Sequence, residues 1–139
     1  MLVKNILIGE DIRREEGNKL SLMGIFSSSI NIEVQPDVPK ETPVGVSLAF
    51  LICIENSDTS NNLKNYEIRT SMFLADKKFI SLNAKIESTE NDRLYLLPIS
   101  KVEVPIFEAT QLLVHVQIFK KEILVSEDKA VLVINMNRT

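Results

Sequence analysis

The side chains best suited to chemistry in this 139-residue chain are three acidic pairs, Glu10-Asp11, Glu15-Glu16 and Glu127-Asp128, with one histidine, His115, and one cysteine, Cys53. Paired carboxylates suit acid–base work or cation ligation, and a cysteine within reach of a histidine suits nucleophilic catalysis. Their spacing commits none of them to such a role. The acidic runs lack the alternating Asp/Asn pattern of a calcium loop. The segment 55–62, with Asn56, Asp58, Asn61 and Asn62, offers oxygens for a weak calcium site, but a polar loop of this kind is expected to be solvated. One cysteine makes no internal disulfide and no zinc-ligand spacing. Lying in Leu51-Ile52-Cys53-Ile54, Cys53 reads as a small buried hydrophobe. His115 alternates with Leu113 and Gln117, opposite Val114, Val116 and Ile118, which predicts an exposed or rim position. The four glycines form no phosphate-cradling loop, and no serine sits in a nucleophile elbow. No catalytic, cofactor-binding or metal-ligating residue is assigned, and no cofactor is expected. Glu10, Asp11, Arg13 and His115 are the candidates for a functional surface; an enzyme would need Glu10, Asp11 and His115 to converge in a cleft.

The elements that position these groups read as strands. Residues 6–26 predict a β-hairpin around Gly17-Asn18. A three-residue loop, Glu16-Gly17-Asn18, pairs Glu15 with Lys19, Ile12 with Leu22 and Ile8 with Phe26, and puts the apolar residues on one face. The other face then carries Arg13 opposite Ser21 and Asp11 opposite Met23. A slip of one residue would flip every side chain, so burial decides the register. Asn18 takes the left-handed position in this register, and Glu10 falls opposite Gly24, between Ile8 and Ile12. Two readings follow for Glu10: a carboxylate at a sheet rim beside a bulge at Gly24, or a partly buried acid with a purpose.

Period-two alternation recurs along the rest of the chain. Val44, Val46, Leu48, Phe50, Ile52 and Ile54 form one stripe, with Gly45, Ser47, Ala49, Leu51 and Cys53 behind it; a central strand covered on both sides has this look. Tyr66 to Leu74 follows. Ile80, Leu82, Ala84 and Ile86 then give the cleanest half-buried pattern. Further strands are expected at 30–34, 94–97, 102–106, 112–119, 123–126 and 130–136. Residues 130–136 are apolar on both faces, and so predict either a buried central strand or an edge that pairs with a second copy. The proline-bearing connection 35–43 should be extended and stiff. Helix periodicity is nearly absent. About nine strands in one domain, 1–139, predict an all-β fold: a single-domain, two-sheet antiparallel sandwich of immunoglobulin-like or jelly-roll topology.

Asp11, Arg13 and Glu15 at the tip, then Gly17, Lys19, Ser21 and Gly24-Ile25-Phe26 on the return strand, resemble an uncharacterised family of small bacterial proteins. Its members open with a D-x-R-x-E tip and a G-N-K-x-S-x-x-G return. The resemblance implies a β-sandwich of unknown function from a bacterium and assigns no site residues.

The net charge is −3, and the basic pairs Arg13-Arg14, Lys77-Lys78 and Lys120-Lys121 read as solvated hairpin tips, so no nucleic-acid footprint is seen. The short apolar start, with acids from Glu10 onward, is unlike a secretory signal, and no membrane span is found. A cytoplasmic, non-enzymatic binding or assembly protein is expected, acting through a protein partner or as a homo-oligomer. A ligand- or carbohydrate-binding module is the second reading, and an enzyme with an unrecognised acidic site the third.

Overall fold

Alternating apolar and polar residues build strands because successive side chains point to opposite faces. The computed structural model, which describes residues 1–17, 19–56, 65–86 and 94–138, is built this way throughout. Among the described residues there are ten strands and no α-helix: β1 (Leu2–Gly9), β2 (Asp11–Glu15), β3 (Lys19–Met23), β4 (Ser29–Val34), β5 (Val44–Glu55), β6 (Tyr66–Leu74), β7 (Lys77–Lys85), β8 (Leu94–Ile106), β9 (Thr110–Lys120) and β10 (Ile123–Arg138). They form a three-stranded sheet ordered β1-β5-β8, a five-stranded sheet ordered β4-β10-β9-β6-β7, and a two-stranded ribbon, β2-β3. The fold is all-β and consistent with the expected sandwich. One pair, β4 with β10, runs parallel, with Ile30 beside Ile134 and Val34 beside Arg138. Its outward positions are bridged by Asn135 Nδ2 donating to Asn31 Oδ1 (3.0 Å) and Asn137 Nδ2 to Glu33 Oε1 (3.3 Å).

The chain divides into two compact units. One holds Met1–Ile6, Ile52–Leu97 and Leu113–Ala130; the other holds Leu7–Leu51, Pro98–Leu112 and Val131–Thr139. Leu48, Phe50, Val104, Ile106, Leu112 and Ile134 are buried in the second, and Ile52, Ile54, Met72, Val114, Val116 and Ile118 in the first. β1, β5, β8, β9 and β10 contribute residues to both.

The hairpin register is the expected one: Asp11 pairs with Met23, Ile12 with Leu22, Arg13 with Ser21 and Glu15 with Lys19. Gly17 turns the chain at φ +75°; the expected left-handed Asn18 lies outside the described residues. The hairpin is broken at Glu10 and Gly24, so β1 joins one sheet while β2-β3 stands as its own ribbon. Glu10 N–H donates to Met23 C=O (2.8 Å) and Phe26 N–H to Ile8 C=O (2.9 Å). Those bonds are two residues apart on one strand and three on the other, so the return strand carries an extra residue, with Gly24 at φ +62°. A glycine bulge of this kind bends the strand. The burial expected of Ile8, Ile12, Leu22 and Phe26 needs correction. Only Ile8 is buried, the other three are half-buried, and Glu10 is exposed. A two-stranded ribbon shields a face poorly, since a third neighbour is needed to close it.

Three further expectations are corrected. Residues 94–97 and 102–106 belong to one strand, β8, whose alternation shifts phase at Lys101 (φ +57°), the mark of an inserted residue. Pro98 and Pro105 both lie in it; β8 is an edge strand, where a missing N–H costs no ladder bond. Residues 123–126 and 130–136 are likewise one strand, β10. β4 pairs with β10 over Val133–Arg138, so residues 133–136 are not a free edge, while Val131, ahead of that pairing, is exposed. The connection 35–43 is turned rather than extended. Val38 N–H donates to Gln35 C=O (3.2 Å) and Thr42 N–H to Pro39 C=O (3.1 Å), and Pro36 at the second turn position favours the first turn.

Candidate functional site

The sequence candidates fall into two groups. Glu10 is exposed, with its carboxyl group over Gly24; a Cβ there would lie 2.7 Å from Glu10 Cδ. Asp11 Oδ1 accepts the N–H of Ile12 (2.9 Å), and its Oδ2 lies 3.9 Å from Arg13 Nε, a loose exposed pair worth little. His115, on β9 in the other unit, is half-buried on the face opposite Val114 and Val116, and its Nε2–H donates to Glu127 Oε2 (2.9 Å). That hydrogen bond holds the Glu127 carboxyl below its ordinary range. Cys53 is half-buried rather than sealed, and desolvation pushes its thiol up, which disfavours the thiolate a nucleophile needs. The histidine's partner is thus a carboxylate, not this thiol. The residues 57–62 weighed for calcium lie outside the described residues.

A different region gathers more exposed, unpaired chemistry. β6 and β7 form a hairpin through Ala75 (φ +48°) and Asp76 (φ +67°), both left-handed, the geometry of a two-residue turn that matches strand twist. Ile68, Thr70 and Met72 face inward and are buried; their partners Ala84, Leu82 and Ile80 share that face without being sealed. Leu82 stays 41% exposed. The cause is topological: among the described residues β7 is hydrogen-bonded to β6 alone and stands at the end of its sheet. The register shifts between Met72 and Phe73, leaving Phe79 without a cross-strand partner and exposed. Lys77, Lys78 and Lys85 stud the strand, which has no acid. Lys78 lies over the Phe73 ring (5.7 Å), and no carboxylate forms an ion pair with Lys77 or Lys85 among the described residues.

Beside Lys85 the outward face carries a set of ordered charges. Arg69 binds Glu67 (Nε to Oε1, 3.2 Å) and Glu122 (Nη2 to Oε2, 3.1 Å) and stacks on Phe119 at 4.1 Å. The hydrogen bonds to Glu67, then to Glu122, raise the guanidinium above its ordinary value. With both carboxylates committed to Arg69, Lys85 and Lys121 have no ion-pair partner among the described residues; they line an adjoining cavity of about 190 Å³ with Asn65, Tyr66 and Phe119. The edge therefore presents open backbone groups, exposed apolar side chains and unneutralised positive charge. In the sequence Lys77-Lys78 reads as a solvated tip; the signal of an edge is a nine-residue strand with lysines at both ends and no carboxylate.

Among the described residues no three His, Cys, Asp or Glu side chains are grouped to hold a metal ion, and no helix is long and apolar enough to cross a membrane. Compared with known proteins, the chain matches no family model and no curated protein.

Proposed function

We propose that this is a non-enzymatic binding protein that takes an extended, acidic segment of a protein partner as an added strand along β7. β7 itself carries the reading: nine residues with one hydrogen-bonded neighbour among the described residues, three lysines, and exposed Phe79 and Leu82. Strand addition to such an edge gives affinity through main-chain hydrogen bonds and selectivity through alternate side chains. A second copy is the poorer occupant. Antiparallel pairing of β7 with its twin in full register sets Lys77 against Lys85 at each end, and lysines on an edge are a common guard against self-pairing. In this reading the protein acts in the cytoplasm and belongs with the small bacterial sandwich proteins whose hairpin it resembles.

The test is calorimetric titration with a nine-residue peptide alternating valine and glutamate, and with its valine–lysine counterpart. Saturable binding of the acidic peptide alone, weakened by salt and by Lys77→Glu with Lys85→Glu, supports the reading. Equal binding of both peptides, or of neither, contradicts it.

A further inference from the structure

A second concave site lies in the other unit. The turn 39–42 brings Lys40, the β8–β9 turn brings Phe107, Glu108 and Ala109, and the end of β10 brings Met136 and Arg138 around a cavity of about 540 Å³. That volume is in the range of small-molecule pockets. Its apolar wall is Phe107, 51% exposed, with Ala109 and Met136. Its polar side is built around a fixed guanidinium. Arg138 Nη1 donates to Val38 C=O (3.3 Å) and Nη2 to Phe107 C=O (3.5 Å), which ties the arginine to both turns that frame the cavity. Two of its five N–H groups are used, and three are left for an acceptor. Neither Arg138 nor Lys40 has a carboxylate partner among the described residues, although Glu108 lines the same cavity.

We propose that this cavity binds a small monocarboxylate with an aromatic or alkyl body. The body packs on Phe107 and Met136, and the carboxylate accepts from Arg138 with Lys40 at the rim. A held guanidinium with unused donors favours a planar carboxylate, because the fork geometry is set before the ligand arrives. An exposed phenyl ring beside it gives the ligand's body the apolar surface that the cations cannot. Glu108 limits the charge to one: a dianion would meet it, and an amine would meet two cations.

The test compares 4-phenylbutanoate with 4-phenylbutan-1-ol and 4-phenylbutylamine by amide chemical-shift titration of the full chain. The expected result is saturable binding of the acid, on the order of tenfold tighter than the alcohol, with shifts at 107–109 and 136–138. Phe107→Ala weakens acid and alcohol alike. Arg138→Gln removes the preference for the acid. Because Arg138 also ties down the turn 35–38, Lys40→Ala serves as the independent variant: Lys40 forms no hydrogen bond or ion pair among the described residues, and its loss lowers affinity for the acid by about threefold. Equal affinity for acid and alcohol, shifts mapping elsewhere, or no saturation at a few millimolar overturns the proposal. None of these outcomes bears on peptide binding at β7, which is read in the other unit.

Discussion

β5 and β7 are both long, regular strands with apolar residues at alternate positions, yet they end in opposite circumstances. From Leu48 to Ile52 every residue of β5 is buried, whereas no residue of β7 is. The apolar stripe does not separate them. What separates them is the rest of the strand: β5 has no charge before Glu55 and small or apolar residues on its second face, while β7 has three lysines and polar residues between. Among the described residues β5 has a neighbour on each side and β7 has one. Alternation therefore reports which way side chains point, and the residues between them report how many neighbours the strand has.

The sharpest way to break this comparison is to truncate the two stripes. Phe50→Ala in β5 should cost about 3–5 kcal/mol, since a fully buried ring leaves a cavity. Leu82→Ala in β7 should cost less than about 1 kcal/mol, because the side chain is already wet. Urea melts of the two variants check this; similar losses would mean that β7 is covered.

The junction of β1 with the ribbon offers a second contrast, between two glycines. A Cβ at Gly9 would lie 2.8 Å from the Met23 carbonyl oxygen, and backbone cannot swing aside, so Gly9→Ala should cost about 1–3 kcal/mol. At Gly24 the obstruction is the end of the Glu10 side chain, which can move; what remains is the left-handed backbone, at about 1 kcal/mol for alanine. Thermal melts of Gly24→Ala with and without Glu10→Ala decide it: equal losses in both backgrounds confirm strain, and a rescue by Glu10→Ala restores crowding.

The smallest effect belongs to the His115–Glu127 pair. Its hydrogen bond lowers the folded-state pKa of Glu127, so the contribution is present above the unfolded carboxyl pKa and is lost as pH falls through the folded value. The stability difference between wild type and Glu127→Gln should shrink as pH falls through the acidic range in which the Glu127 carboxylate takes up its proton. A difference that widens on acidification would contradict this sign.

Much of the local geometry was legible beforehand. The Ile12–Leu22 register follows because any slip turns leucine and isoleucine outward, and the extra residue at Gly24 follows from a carboxylate facing it. The centrality of β5 was legible for the reason just given. Depth was not. Ile80, Leu82 and Ala84, like Ile12, Leu22 and Phe26, show a clean stripe whether or not a second layer reaches them. Nor was the continuity of β8 visible, because the left-handed Lys101 resets the alternation and makes one strand look like two. The candidate edge escaped for a related cause: Lys77-Lys78 reads as a tip until Lys85 is known to share its strand and Glu67 is known to be held by Arg69.

Amide hydrogen exchange along β7 tests the central claim most directly. In an antiparallel pair every second amide of an edge strand points away from its neighbour. In the free protein those amides of β7 should exchange rapidly, while their β5 counterparts are protected. On saturation with the valine–glutamate peptide, the same outward β7 amides should become protected and those of β5 stay unchanged. Outward amides already protected in the free protein, or a bound peptide that leaves them fast, would contradict the account.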